Sequence, residues 1–252
     1  MKIEVTFTPA EFALLPQRDL SATACVVFDV LRATSTMITA LARGAEFIQP
    51  VTSVAEALRC RAEDPDVLLA GERNGLRITA AISGGVDFDL GNSPREYTSA
   101  VVRGRRIVTT TTNGTRALVA CRNARHVLAG GFLNLRHTAQ QVRRCNSAGV
   151  ILVCSGTGEE TAFEDALGAG ALCDHLATLD PAIELTASAR EARAMFLPHA
   201  EDLEGAMQAS TNAVRLLAIP ELRDDVAFCL TPDLFPITAA ADAAGRVRRV
   251  ST

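Results

Sequence analysis

Thr23-Ala24-Cys25-Val26-Val27-Phe28-Asp29-Val30-Leu31-Arg32-Ala33-Thr34-Ser35-Thr36 is the stretch that decides the fold of this chain. Its first six residues form an apolar, β-rich run. A polar segment carrying a carboxylate and a guanidinium follows, where a strand should hand over to a helix. The same transition recurs three times: Gly71-Glu72-Arg73 after VLLA, Thr112-Asn113-Gly114-Thr115 after RIVTTT, and Ser155-Gly156-Thr157-Gly158 after VILVC. Ligands of open α/β sheets bind beyond the carboxyl ends of the strands, so four such turns imply one composite site.

Outward from that stretch, strand-like runs fall at about 3–7, 23–28, 46–51, 67–70, 105–111, 125–129 and 149–154. They are β-branched and nearly continuous in apolar character, the pattern of strands buried on both faces. Helical patterns lie between them, at 35–43, 53–63, 93–102, 113–122, 133–146 and 161–179. The alternation predicts a three-layer α/β/α fold with a mostly parallel or mixed sheet. Residues 1–180 form the expected main domain. Residues 181–252 are expected to form a smaller C-terminal lobe or cover, with helices over 184–197 and 199–218 and an edge hairpin within 226–251.

Composition narrows the function. The net charge is -4 with dispersed basic residues, which argues against nucleic-acid binding, and one Tyr with no Trp leaves no base-stacking platform. Seven cysteines without C-x-x-C spacing fit reduced thiols better than disulfides or a zinc site. No run of about 18 apolar residues offers a membrane span, and the early polar breaks in MKIEVTFTPAEF do not suit a secretory leader. The expected setting is the cytoplasm, with no membrane partner, and a homo-oligomer is left open.

Each motif has a bland reading beside the functional one. Asp29 caps the following helix or pairs with Arg32, or else serves a metal or reacting group, since an unpaired carboxylate at a strand end is costly. Arg32 offers a planar fork for phosphate or carboxylate. In Gly91-Asn92-Ser93-Pro94-Arg95-Glu96, Ser93 and Glu96 complete a capping box, whereas Asn92 has no structural task and a helix start also attracts anions. Asn113 caps a helix after four consecutive threonines. Ser155 is followed by Glu159, Glu160, Glu164 and Asp165, an acidic run that reads as a divalent-cation neighbourhood or as helix-start dipole compensation.

Familiar devices are missing. There is no G-x-x-x-x-G-K-[ST] loop, and no G-x-G-x-x-G follows the first strand. Position 160, where a Cys154-based phosphatase loop needs arginine, is Glu, and position 31, where a haloacid-dehalogenase phosphatase needs its second Asp, is Leu. None of the four histidines lies in a motif. Carboxylates, hydroxyls, amides and arginines remain, a set suited to metal-assisted chemistry on an anionic substrate.

DVLRATST, GERNG, FDLGNSPREY, TTTNGTRAL and FEDALGAG, in this order over about 29–170, resemble the 2-phosphosulfolactate phosphatase family, the ComB-like proteins. The resemblance implies an α/β/α enzyme that uses Mg²⁺ to hydrolyse 2-phosphosulfolactate to sulfolactate and phosphate in coenzyme M biosynthesis. Asp29, Arg32, Glu72, Arg73, Asn92, Ser93, Asn113, Thr115, Glu164 and Asp165 occupy its motif positions. The segment 73–90, with its Gly84-Gly85 pair, is longer than the pattern, a departure that bears on the shape of the pocket rim and on the exact substrate.

The expected mechanism places Mg²⁺ on carboxylates drawn from Asp29, Glu72, Glu164 and Asp165, bridging a phosphoryl oxygen. Arg32, with amides near Ser93 and Asn113, holds the other oxygens, so Asp29, Arg32 and Asn113 are the catalytic candidates. Arg73, Asn92, Ser93, Thr115 and Ser155 are the substrate-binding candidates. A carboxylate then activates water or attacks phosphorus itself. A lyase or kinase on a phosphorylated acid, and a non-catalytic binder of such a metabolite, are the competing readings.

Overall fold

A computed structural model describes residues 1–250. In chain order its elements begin with β1 (Lys2–Thr6), α1 (Pro9–Phe12), β2 (Thr23–Phe28), α2 (Ala33–Ala42), β3 (Phe47–Pro50) and α3 (Val54–Glu63). Next come β4 (Leu68–Arg73), β5 (Leu76–Arg77), α4 (Ala80–Ser83), α5 (Ser99–Val102), β6 (Arg106–Thr110), α6 (Gly114–Ala120), β7 (His126–Gly130) and α7 (Leu135–Cys145). The chain finishes with β8 (Gly149–Cys154), α8 (Phe163–Leu179), β9 (Glu184–Leu185), α9 (Ala187–Phe196), α10 (Leu203–Ala206), α11 (Thr211–Leu217), α12 (Asp224–Leu230), β10 (Thr238–Ala241) and β11 (Val247–Val250).

All eleven strands join one mixed sheet in the order β5-β4-β6-β3-β11-β10-β7-β2-β8-β1-β9. β2 lies between β7 and β8, parallel to both, with Phe28 opposite Gly130 and Cys154. That central placement explains its continuous apolar character: both faces of Thr23–Phe28 are covered. On one face α2 and α6 pack Met37, Ile38, Leu41, Ala117 and Leu118 against Cys25, Val27, Ile107 and Val247. On the other, α7, α8, α9, α11 and α12 bury Val26, Phe28, Val150 and Leu152. α3 and its neighbours close a smaller core over β4 and β6 through Ala57, Leu69 and Val108. The three layers expected from the sequence are present.

The C-terminal hairpin is the departure. β10 and β11 do not lie at an edge; β10 pairs antiparallel with β7, and β11 pairs antiparallel with β3. The hairpin therefore joins two parallel half-sheets, and the sheet runs unbroken across the boundary expected near residue 180. Across it chain direction reverses, so β3, β6 and β4 run opposite to β7, β2 and β8 along the ladder. Residues at or just beyond the carboxyl ends of strands in both halves nonetheless line one cleft: Asp29 and Thr157 from one half, Glu72 and Asn113 from the other.

Local chemistry adjusts other boundaries. β4 continues through Glu72 and Arg73, which the sequence places in a turn, because Asn74 (φ 55°) and Gly75 (φ 81°) fold a two-residue hairpin into β5. The helix expected over 93–102 is a 3₁₀ turn at Pro94–Glu96 followed by the short α5. Residues 199–218 are broken into several short turns ending in α11, whose cap is Ser210 accepting the Ala213 N–H. Among the described residues no helix is long and apolar enough to cross a membrane.

Candidate active site

A cleft of about 310 Å³ opens where the two half-sheets converge. Asp29 and Arg32 reach it from the β2–α2 turn, Glu72 and Gly75 from the β4–β5 hairpin, and Asn113 from the start of α6. Thr157 and Gly158 come from the turn after β8, and Asn92 from the segment before α5. Asn212, Arg215 and Leu216 complete the wall from α11. Each of the four motifs that open the sequence reading therefore sends residues here.

Asp29 sits half-buried at the end of β2. Its Oδ1 accepts the Ala33 N–H at 2.9 Å, so it does cap α2, and it forms no ion pair with Arg32. Gly114 packs against it so closely that any Cβ there would collide with the carboxylate, which accounts for the glycine after Asn113. Desolvation pushes the Asp29 carboxyl up to about 6. The Ala33 N–H and the Ser155 hydroxyl oppose that rise, while the charges of Glu72 and Glu164 add to it.

Glu72 is buried, with Oε1 accepting the Thr112 N–H and hydroxyl, each at 2.8 Å, and Oε2 accepting the Gly75 N–H at 2.8 Å. Arg32, equally buried, donates Nη1 to Asp225 Oδ2 at 2.7 Å and Nη2 to the Gly75 carbonyl at 2.5 Å. Asp225 also accepts the Ser93 hydroxyl at 2.7 Å and Arg95 Nε at 2.9 Å. Ser93 is thus not a helix cap. Its hydroxyl is spent on Asp225, and Glu96 turns back to accept the Gly91 N–H at 2.8 Å, because only a 3₁₀ turn follows. Asn92 is buried at the cleft wall, and its carboxamide makes no hydrogen bond to another described residue; only its backbone carbonyl is used, by Thr36.

Other expected residues lie behind the cleft wall. Asn113 reaches the cleft, but its amide donates to the carbonyls of Gly156 (2.9 Å) and Gly158 (3.2 Å), clamping the β8 turn. Thr115 exchanges hydrogen bonds with Thr111 inside the core. Arg73 folds onto the Glu72 carbonyl and Thr110. Ser155 binds Asp165 Oδ2 through both its N–H and its hydroxyl, and Gly156 N–H joins them. Asp165 Oδ1 accepts the Val30 N–H at 2.8 Å. Burial, with Glu164 and Asp29 near, pushes the Asp165 carboxyl well up, against donors from Val30 and Ser155. Glu164 accepts the Ser210 hydroxyl and the Asn212 amide, each at 2.6 Å. Neither Glu164 nor Asp165 lines the cleft. Cys154 is fully buried, and burial pushes its thiol well up, away from the thiolate a nucleophile needs.

The sequence reading quoted Asn74-Gly75 and Thr157 within its motifs without naming them as site residues, although the Asn-Gly pair is a strong hairpin signal. It missed Asn212, Arg215 and Asp225, which carry no local pattern, since their roles depend on α11 and α12 folding back over the β2 turn.

Residues 11–242 match the family of 2-phosphosulpholactate phosphatase. The chain belongs to that family. A relative from Caldanaerobacter subterraneus subsp. tengcongensis is 39% identical over 222 residues, 87% of this chain and 88% of the relative. One from Pseudothermotoga lettingae is 40% identical over 84% of this chain and 87% of its own, and one from Thermotoga maritima is 35% identical over 91% and 94%. Each is named "Probable 2-phosphosulfolactate phosphatase". The matched span contains the β2 turn, the GNSP segment and α11, and with them every residue that lines the cleft.

Among the described residues no three His, Cys, Asp or Glu side chains stand together so as to hold a metal ion by themselves. Two carboxylates, Asp29 and Glu72, do line the cleft. Mg²⁺ is typically held by one or two carboxylates, with water and substrate phosphate completing its shell, so this oxygen-only donor set fits Mg²⁺ and does not fit a structural zinc.

Proposed function

We propose that the chain is a Mg²⁺-dependent phosphatase that hydrolyses 2-phosphosulfolactate, or a closely related 2-hydroxy acid phosphate, to the hydroxy acid and inorganic phosphate. On 2-phosphosulfolactate the reaction would serve coenzyme M biosynthesis. The observation that carries this reading is the pair of carboxylates, Asp29 and Glu72, lining one cleft in a chain of this family. A pure anion binder gains nothing from two carboxylates at its ligand.

Asp29 and Glu72 would hold the Mg²⁺, which when bound supplies positive charge to a phosphoryl oxygen. The chain's own residues supply the rest. Thr112 and Gly75 fix the Glu72 carboxylate, and Ala33 fixes Asp29, so both are oriented before substrate arrives. The free carboxamide of Asn92 donates to a phosphoryl oxygen. Arg32 lines the cleft wall, where its bonds to Asp225 and Gly75 hold α12 and the β4–β5 hairpin against the β2–α2 turn. The ionised Asp29 carboxylate would take a proton from water or attack phosphorus.

Phosphate release from a set of phosphorylated 2-hydroxy acids, with and without Mg²⁺, tests the proposal. Mg²⁺-dependent release is expected. Tight binding of these esters without turnover would leave a binder, and loss of phosphate by elimination would indicate a lyase.

A further inference from the structure

We infer that Arg215 recognises the sulfonate of the substrate, apart from its phosphoryl group, and so makes the cleft selective for sulfonated substrates over simple phosphorylated hydroxy acids. The inference rests on the phosphatase reading above.

It starts from charge. A 2-phosphosulfolactate-type substrate brings a phosphate, a carboxylate and a sulfonate into a cleft that already holds Asp29 and Glu72. Two arginines line that cleft, Arg32 and Arg215. Arg32 is neutralised by Asp225 and fixed by Gly75, with its side chain only 2% exposed. Arg73 is folded onto Thr110, and Arg95 is paired with Asp224 and Asp225, so neither is available. Arg215 has no carboxylate partner among the described residues. Its one hydrogen bond runs from Nη2 to Asn212 Oδ1 at 2.8 Å, which leaves Nε and Nη1 for an incoming anion.

The guanidinium is exposed but not adrift. Asn212 donates to both Glu164 Oε1 and Thr157 Oγ1, and Glu164 accepts the Ser210 cap of the same helix. Buried Glu164 thereby anchors α11, Asn212 aims Arg215, and Leu216 beside it gives the cleft an apolar wall suited to a short carbon chain. A planar fork held on one edge and open on the other suits a sulfonate or carboxylate. The phosphoryl group on the central carbon belongs instead with Asp29, Glu72 and Asn92, so it and the sulfonate have separate receptors.

The test compares kcat/KM for 2-phosphosulfolactate and for 2-phospholactate, the same skeleton without sulfonate, in natural enzyme, Arg215→Ala and Arg215→Lys. Arg215→Ala should lower kcat/KM for the sulfonated substrate about 10- to 100-fold, the worth of a charge-assisted hydrogen bond, chiefly through KM. The phospholactate value should stay within about threefold, and Arg215→Lys should restore part of the loss. Equal losses on both substrates would overturn the inference, because Arg215 would then serve the shared carboxylate, the phosphoryl group or the fold. Calorimetry with sulfolactate, which has a sulfonate and no phosphoryl group, reads the contact without turnover. Binding weakened about tenfold or more in Arg215→Ala supports the inference, and unchanged binding refutes it. A chain that binds sulfolactate through Arg215 yet releases no phosphate would defeat the phosphatase reading alone.

Discussion

Asp29 and Glu72 stand in the cleft, whereas Glu164 and Asp165 stand behind its wall, and the four carboxylates differ less in burial than in what their oxygens do. Asp165 accepts from four donors, drawn from Val30, Ser155 and Gly156, and so ties β2, the β8 turn and α8 together. Glu164 ties α8 to α11. Asp29 has one close backbone donor and spare capacity on the cleft side. Glu72 accepts three donors from Thr112 and Gly75, one more than Glu164, so place decides as well as donor count: only Asp29 and Glu72 lie beside the opening, where a ligand can reach them.

The sharpest way to break this division is Asp29→Asn. The amide keeps the shape and the acceptor for Ala33 but removes the charge, so kcat should fall about 10²- to 10⁴-fold with the fold intact. Steady-state phosphate release together with circular dichroism checks it; near-normal turnover would reduce Asp29 to a helix cap. The same variant gives a pH signature in metal-free protein. The folded carboxyl titrates near 6 against an ordinary 3.8, so the folded chain holds this proton more tightly. That contribution is complete below about 4 and is lost as pH rises through 6. Asp29→Asn should therefore melt higher than the natural chain at pH 8 and level with it at pH 4.

Asp165→Ala should invert the pattern. It strands several buried donors, so it should cost about 3 kcal/mol or more of stability, read by denaturant unfolding. Molecules that remain folded at low temperature should retain more activity than Asp29→Asn. An Asp165→Ala protein of normal stability would show that its donors find other partners.

Asn92 and Ser93 repeat the comparison in adjacent residues. Asn92→Ala should lower kcat by about 2–4 kcal/mol of transition-state stabilisation while leaving the melting temperature nearly unchanged. Ser93→Ala should cost about 1 kcal/mol of stability through the lost bond to Asp225, with a smaller kinetic effect. Kinetics and melts on both variants decide it, and a catalytically normal Asn92→Ala would move the phosphoryl group elsewhere in the cleft.

How much of this was legible in the sequence follows from which contacts are local. β2 and β8 begin and end where their apolar runs do, because each is buried on both faces. The cleft was legible as well, since each turn carries its own polar signature. The central place of β10 and β11 was not, because Thr238–Ala241 and Val247–Val250 are short strands whose partners lie far away in sequence. Ser93-Pro94-Arg95-Glu96 misled because a capping box describes a helix start, and the helix does not follow; Asp225, more than a hundred residues later, claims the serine. The acidic run after Ser155 was divided by contacts of the same long-range kind: Ser210 and Asn212 hold Glu164, and Val30 holds Asp165, both behind the cleft wall.

The most direct test is the Mg²⁺ dependence of phosphate release after exhaustive chelation, compared among the natural enzyme, Glu72→Gln and Glu164→Gln. Chelation should abolish activity and Mg²⁺ should restore it. Glu72→Gln should need at least about tenfold more Mg²⁺, as loss of one of two carboxylate ligands requires, whereas Glu164→Gln should match the natural enzyme within about threefold. Undiminished turnover in the chelated enzyme, or a Mg²⁺ requirement raised by Glu164→Gln and untouched by Glu72→Gln, would contradict the account.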